Sequence, residues 1–268
     1  MDKGEEQTMG DGVTAAEART YAAPALEKGL DIIEILCKAE TPLSQKDIAQ
    51  QLGRSVGEIY RMLSCLVRRD YVAQTGDAYL LTTRLFELAH RHPPTHRLLV
   101  EAPNIMDHLA TTLDQSCHLT VYGRGSQIVV AKIDAPSGMG FSMRTGAELD
   151  MLVSASGRVL LAFQDAATIT RRIDECVRRR PDHADAGIGA ILDAVRARGF
   201  ESMPSNQVRG VLAIAFPILD SEGRAVAALS VPYVERIDEA NRPLAEVHAA
   251  TAAAAHDLTR RVGGTARA

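Results

Sequence analysis

Apolar side chains recur at helical spacing from residue 26. Leu26, Leu30, Ile33 and Leu36 predict a stripe along a first helix. Ile48 and Leu52 mark the inner face of a second, short helix, and Ile59, Met62, Leu63 and Leu66 that of a third. The period then changes. Tyr71–Ala73 and Ala78–Leu81 read as two short strands around the glycine-bearing turn Gln74–Asp77. A short helix around Thr83–Ala89 follows, and Pro93-Pro94 within His90–His96 predict a helix break. Further on, Leu119–Tyr122 and Ser126–Ile133 are strand-like runs joined by Gly123-Arg124-Gly125, with Phe141–Arg144 as another short strand. Ser156–Gln164, Ala167–Arg179 and Ile188–Arg198 read as helices, the last stopping at Gly199. Val211–Leu219 and Ala225–Tyr233 are apolar, β-leaning runs around the turn Asp220–Arg224, and an alanine-rich helix over Asn241–Arg261 ends the pattern.

This pattern divides the chain into an acidic arm over 1–22, expected to be disordered, a compact helical block with a hairpin over 23–82, a linker over 83–96, and an α+β block with a largely antiparallel sheet over 97–262. At 268 residues, no disulfide or metal staple is needed to hold a core, and the four cysteines (Cys37, Cys65, Cys117, Cys176) are scattered without a C-x-x-C. The longest apolar run, Val211–Leu219, contains Pro217 and is about half of what spans a bilayer, so no membrane helix is expected. The start lacks the basic and apolar stretches of a secretory signal, and the expected compartment is a reducing cytoplasm. A net charge of −4 disfavours a protein that grips nucleic acid by bulk electrostatics but leaves room for a small DNA reader at one end.

The stretch Gln45–Ser64 meets the physical requirements of a helix-turn-helix one by one. Ser44 with Asp47, and Ser55 with Glu58, are capping pairs three residues apart at the starts of two helices. Ala49 is small where the second helix crosses, and Gly53 stands at the turn, where a positive φ is required. An ordinary helix pair in a bundle would meet the same conditions. The outward residues favour DNA: Arg54, Arg61 and Arg68 are seven apart, Arg69 lies beside them, and Lys46 sits near a helix start, where phosphate is well received. With the hairpin as a wing, the block reads as a winged helix-turn-helix.

On these residues the chain resembles the isocitrate lyase regulator (IclR) family of bacterial transcription factors. The resemblance is carried by Leu43–Ala49, Ile59–Leu63 and Tyr79–Leu81 in the first block, and by Ser154–Arg158, Gly210–Ile218 and Ala227–Val231 in the second. It implies an N-terminal winged helix-turn-helix joined by a linker helix to a GAF-like effector-binding domain. It also implies a homodimer or homotetramer that binds double-stranded operator DNA under the control of a small organic acid, aromatic acids included. Repression is the default sign, because occlusion of a promoter needs no polymerase contact; activation is the alternative. Ser55, Val56, Gly57, Tyr60 and Arg61 would then face bases, with Lys46, Arg54, Ser64, Thr75 and Arg84 on phosphate. The effector pocket would be formed by Met143, Gly146, Ser156, Asn206, Ala213 and Ser230. The chain departs from the family pattern at Gly57, where a β-branched residue is usual. It departs again at Asn206, where an acidic residue is frequent, at Ala213 in place of a pocket cysteine, and at Pro232 in place of a second pocket serine.

From the residues alone, Ser154–Gly157 at a helix start could hold a carboxylate through free N–H groups, or could be a plain cap. Enzymatic readings are weak. Cys117 and His118 are adjacent on a strand and point to opposite faces. His92 and His96 are separated by prolines that break the helix needed to align them on a metal, and Gly123-Arg124-Gly125 lacks the rest of a phosphate loop. No catalytic constellation, cofactor or metal site is predicted. The competing class is a small-molecule sensor or enzyme whose N-terminal helices only dimerise.

Overall fold

The structure, a computed structural model, describes residues 23–91, 93–183, 187–236 and 242–265. The acidic arm and His92 lie outside the described residues. Two compact units divide between Leu88 and Ala89.

The first unit contains α1 (Pro24–Lys38), β1 (Leu43–Ser44), α2 (Gln45–Gln51), α3 (Val56–Arg68), β2 (Val72–Thr75), β3 (Ala78–Leu81) and the start of α4 (Arg84–Arg91). The three strands form an antiparallel sheet in the order β1-β3-β2, and the β2–β3 hairpin turns through Gly76-Asp77. The core is Ile32, Leu36, Ile48, Ala49, Ile59, Leu63, Val72 and Tyr79. One expectation holds only in part in this unit: of the predicted α1 stripe, Leu36 is buried as expected. The buried stripe of α1 is Ile32 and Leu36, whereas Leu26 and Leu30 are 63% and 50% exposed. The two stripes overlap on one helix, and packing against α3 selects the one that also carries Lys28, whose ammonium lies 2.7 Å from Glu58 of α3.

The second unit opens with α5 (Pro93–Leu113), a helix absent from the expected pattern. The paired prolines begin it, at positions whose N–H groups would lack an intrahelical partner in any case. The unit continues with β4 (Cys117–Gly123), β5 (Ser126–Ile133), β6 (Glu148–Leu149), α6 (Ala155–Ala162), α7 (Ala166–Arg179), α8 (Ile188–Arg198), β7 (Glu201–Pro204), β8 (Val211–Leu219), β9 (Ala225–Val234) and α9 (Leu244–Arg261). Six strands form one sheet in the order β6-β5-β4-β9-β8-β7, with every pair antiparallel. Arg124 and Gly125, both at positive φ, make the two-residue β4–β5 turn. Phe141–Arg144 is not a strand; the edge strand forms later, at Glu148–Leu149.

The sheet separates two cores, as the period-2 alternation of its strands requires. Leu119, Ile214, Ile218, Leu229 and Val231 pack with α5 and α9, while Ala215, Ala225 and Ala228 pack with α6 and α8 on the other side. The architecture is α+β, with a winged helix-turn-helix followed by a domain built on a curled antiparallel sheet. Among the described residues no helix is long and apolar enough to cross a membrane.

Candidate functional site

Two places combine chemistry with access, one in each unit. The first is α3. Both helices of the pair are capped as the sequence predicts: Ser44 and Asp47, then Ser55 and Glu58, exchange side-chain and backbone hydrogen bonds. Gly53 turns the chain at φ +60°, and the Arg54 N–H donates to the Ala49 carbonyl at 2.9 Å. The Gln45 amide donates to the Val56 carbonyl at 2.9 Å and ties the start of α2 to the start of α3. Hydrogen bonds from Lys28 and from the Ser55 N–H and hydroxyl hold the Glu58 carboxyl at a pKa of about 2, so this junction stays charged across physiological pH.

The framework fixes which face of α3 is free. Ile59 and Leu63 are buried, while Val56, Gly57, Tyr60, Arg61, Ser64 and Arg68 are exposed along the opposite side, Tyr60 by 57%. Arg54 and Ser55 precede the helix on the surface, and Lys46 is exposed on α2. Thr75 is exposed at the tip of the β2–β3 hairpin. Arg84 is different: its guanidinium is half-buried and lies 3.0 Å from Glu87, one turn along α4. Helix and hairpin expose cations, a phenol and a hydroxyl, a set suited to base edges and phosphates.

The second place is a cavity of about 60 Å³ on the α6–α8 side of the sheet. Met143, Ser156, Asn206, Ala213 and Ser230 line it; Gly146 is not among its lining residues and lies in an exposed turn. Phe141, Leu149, Val153, Met203, Val211 and Pro232 supply apolar walls. A loop fastened by hydrogen bonds supplies part of one wall. Asp150 accepts from the Leu152 and Val153 N–H groups at 2.8 and 3.1 Å, and from His183 Nδ1 at 2.8 Å. Ser154 caps α6 by accepting from the Gly157 N–H at 3.2 Å, and Asn206 donates to the Val153 carbonyl at 3.0 Å. Gly157 is required here, because a Cβ would run into the Met151 backbone. The N–H groups of Ala155 and Ser156, first on α6, point from a helix start that lines the cavity and can receive an anion.

Sequence reasoning missed most of the apolar walls and, among buried polar lining residues, His118. Cys117 and His118 do point to opposite faces. The Cys117 thiol donates to the Met106 carbonyl at 3.4 Å, and burial pushes its pKa up to about 12. His118 faces the cavity, is 6% exposed, and is brought by burial to a pKa of about 4. The available signal was a histidine at an inward position of a strongly apolar strand.

Known proteins resemble the chain in both units. The family model described as the C-terminal region of the bacterial transcriptional regulator IclR matches residues 94–260, and the IclR helix-turn-helix domain matches 25–76. The HTH-type transcriptional regulator KdgR of Escherichia coli K12 is 27% identical over 200 residues, 72% of this chain and 76% of that protein. The glycerol operon regulatory protein of Streptomyces griseus is 26% identical over 253 residues, 89% of this chain and 96% of that protein. A crystal structure of an IclR homologue from Microbacterium hydrocarbonoxydans, complexed with 4-hydroxybenzoate, superposes with a TM-score of 0.71 at 19% identity, covering 89% of this chain and 98% of that one.

Proposed function

Because the chain belongs to the IclR family of bacterial transcriptional regulators and is a DNA-binding regulator of that kind, we propose that it represses a catabolic operon and is released by a small organic acid. Helix α3 enters the major groove, with Ser55, Val56, Gly57, Tyr60 and Arg61 toward base edges. Lys46, Arg54, Ser64, Thr75 and Arg84 contact phosphate, Arg84 after parting from Glu87. The observation that carries this reading is the exposure of one whole α3 face whose opposite side is locked into the core. Two such heads in a homodimer or homotetramer read a pseudo-palindromic operator in the cytoplasm. Leu26 and Leu30, exposed on α1, offer apolar surface for a contact between copies.

The effector enters the second unit's cavity, with its carboxylate at the N-terminus of α6 and its carbon skeleton against Met143, Ala213 and the apolar walls. A cavity of about 60 Å³ favours compact acids. Aromatic acids such as the 4-hydroxybenzoate of the Microbacterium homologue would require the flexible Met143 and Met203 to swing aside. Binding favours one arrangement of the two heads over another and so changes operator affinity.

Gel-shift and salt titrations on the chain's own upstream DNA test the first part. Arg61→Ala should lose about 1–3 kcal/mol on operator, as expected for a bidentate guanine contact. Lys46→Ala should weaken all DNA alike and lower the salt slope by about one. An Arg61→Ala protein that binds operator as tightly as its parent would remove α3 from the groove. For the effector, Ala213→Phe should abolish the thermal shift given by any acid that binds; a retained shift would put the site elsewhere. A promoter-reporter strain fixes the sign: loss of the regulator should raise expression.

A further inference from the structure

His118 on β4 stands directly opposite Ser230 on β9 in the antiparallel register, and both side chains line the cavity. Their strand neighbours Leu119 and Leu229 are also paired, and pack into the core on the other side of the sheet. The side chains of His118 and Ser230 are therefore neighbours on one face, at residues 6% and 4% exposed. Both are buried, and neither His118 Nδ1 nor Ser230 Oγ has a hydrogen-bond partner within the protein. Of the buried polar atoms left without partners among the described residues, only these two belong to side chains that line this cavity. The cavity lining contains no aspartate, glutamate, lysine or arginine.

We infer that His118, paired across the strands with Ser230, is the specificity-determining residue of the effector cavity, and that the two read a hydroxyl group on the effector. The inference rests on the cavity being the effector site. An uncharged imidazole has one N–H and one lone pair, and a serine hydroxyl both donates and accepts. Their best complement is a group that also donates and accepts. A hydroxyl does so without charge. A second carboxylate there would bury its charge with no lysine or arginine in the lining to offset it. The residues facing His118 across the cavity are apolar or neutral, and burial keeps the imidazole unprotonated at neutral pH. The carboxylate therefore belongs at the α6 N-terminus and the hydroxyl at the His118–Ser230 pair. The effector class is a hydroxycarboxylic acid.

The test uses purified full-length protein and three matched pairs of acids: lactate with propionate, 3-hydroxybutyrate with butyrate, and 4-hydroxybenzoate with benzoate. Dissociation constants come from calorimetry, with cooperative thermal melts confirming that each variant is folded. The parent should bind at least one hydroxy acid tenfold or more tightly than its partner lacking the hydroxyl. His118→Leu should bring that ratio to within about twofold by weakening the hydroxy acid, while the other acid keeps its affinity. His118→Asn, whose amide both donates and accepts, should retain much of the preference. If the preference survives His118→Leu, or if the parent binds both members of every pair equally, the inference is overturned while the cavity assignment stands. If no acid binds the parent although it still shifts operator DNA, the cavity assignment itself fails and takes the inference with it.

Discussion

Replacing His118 by leucine should make the protein more stable, and increasingly so as the pH is lowered. The native imidazole titrates near pH 4 because it is buried, whereas the same group in the unfolded chain titrates near 6.5. Above pH 7 both states hold it neutral and it adds no pH dependence. Between 6.5 and 4 the unfolded chain takes up a proton that the native state refuses. Native stability therefore falls with pH, by about 1.4 kcal/mol per unit. From pH 7.5 to 5.0 the loss comes to about 2 kcal/mol, and His118→Leu escapes it. At pH 7.5 the variant should already be level with the parent or ahead by up to about 1 kcal/mol, since it removes a buried polar atom with no partner. Urea unfolding of parent and variant at one protein concentration, at pH 7.5, 6.0 and 5.0, measures the difference directly, and all other titrating groups cancel. A gap that stays constant within about 0.5 kcal/mol would mean that the folded protein protonates His118 readily, and would refute the argument from burial.

Other substitutions check other parts of the structure. Gly57 sits in the first turn of α3 with open space where a Cβ would stand, so Gly57→Ala should raise stability by about 0.5–1 kcal/mol in denaturant unfolding. If the backbone at Gly57 lies against DNA, the same variant should bind operator more weakly, and unchanged affinity would show that the helix keeps its distance there. Gly157→Ala should cost about 1–3 kcal/mol, because the new methyl meets the Met151 backbone rather than a side chain that can move. It should also blunt acid-induced thermal shifts, and a variant that melts with its parent would show that the loop before α6 yields easily. Ser44→Ala should cost about 1 kcal/mol through loss of the α2 cap; no measurable change would mean that Asp47 alone satisfies that end.

The helix-turn-helix could be read from sequence because its determinants are local. Two serine caps, each with its acid three residues on, and one glycine at the corner fix the geometry within about twenty residues of chain. The face of α1 could not be read in this way. Leu26, Leu30, Ile33 and Leu36 form as good a stripe as Ile32 with Leu36, and only the position of α3 decides between them. Helix α5 was hidden by its own first residues. Pro93-Pro94 obstruct a helix that arrives from the N-terminal side but suit one that starts there, and Pro103 within it reads as a second breaker. The cavity was half visible. Ser156, Ala213 and Ser230 come from the family pattern, but His118 acquires its place only when β9 pairs with β4, a contact between distant parts of the chain.

Among the described residues the fold treats its other buried polar groups in two ways: Thr120 Oγ1, Gln127 Oε1, Arg172 Nε and His248 Nε2 also lack partners, singly and outside this cavity, while others are fully bonded. Glu201 is as deeply buried, yet it accepts from Arg198 at 2.8 Å and from the Ser202 N–H at 2.9 Å, with Arg158 at 3.4 Å. Gln115 bonds the β9 backbone in both directions, donating to the Val234 carbonyl and accepting from its N–H. Partners of this kind matter because an unmet buried hydrogen bond costs about 1–3 kcal/mol. His118 and Ser230 impose that cost twice, side by side, on the wall of a cavity whose other face is a helix start able to hold an anion. The free protein is less stable for it, and a ligand that supplies the missing hydrogen bonds recovers the difference as affinity. Selectivity for a hydroxyl and sensitivity of the ligand-free fold to acid then have one physical origin, and the two should disappear together in His118→Leu.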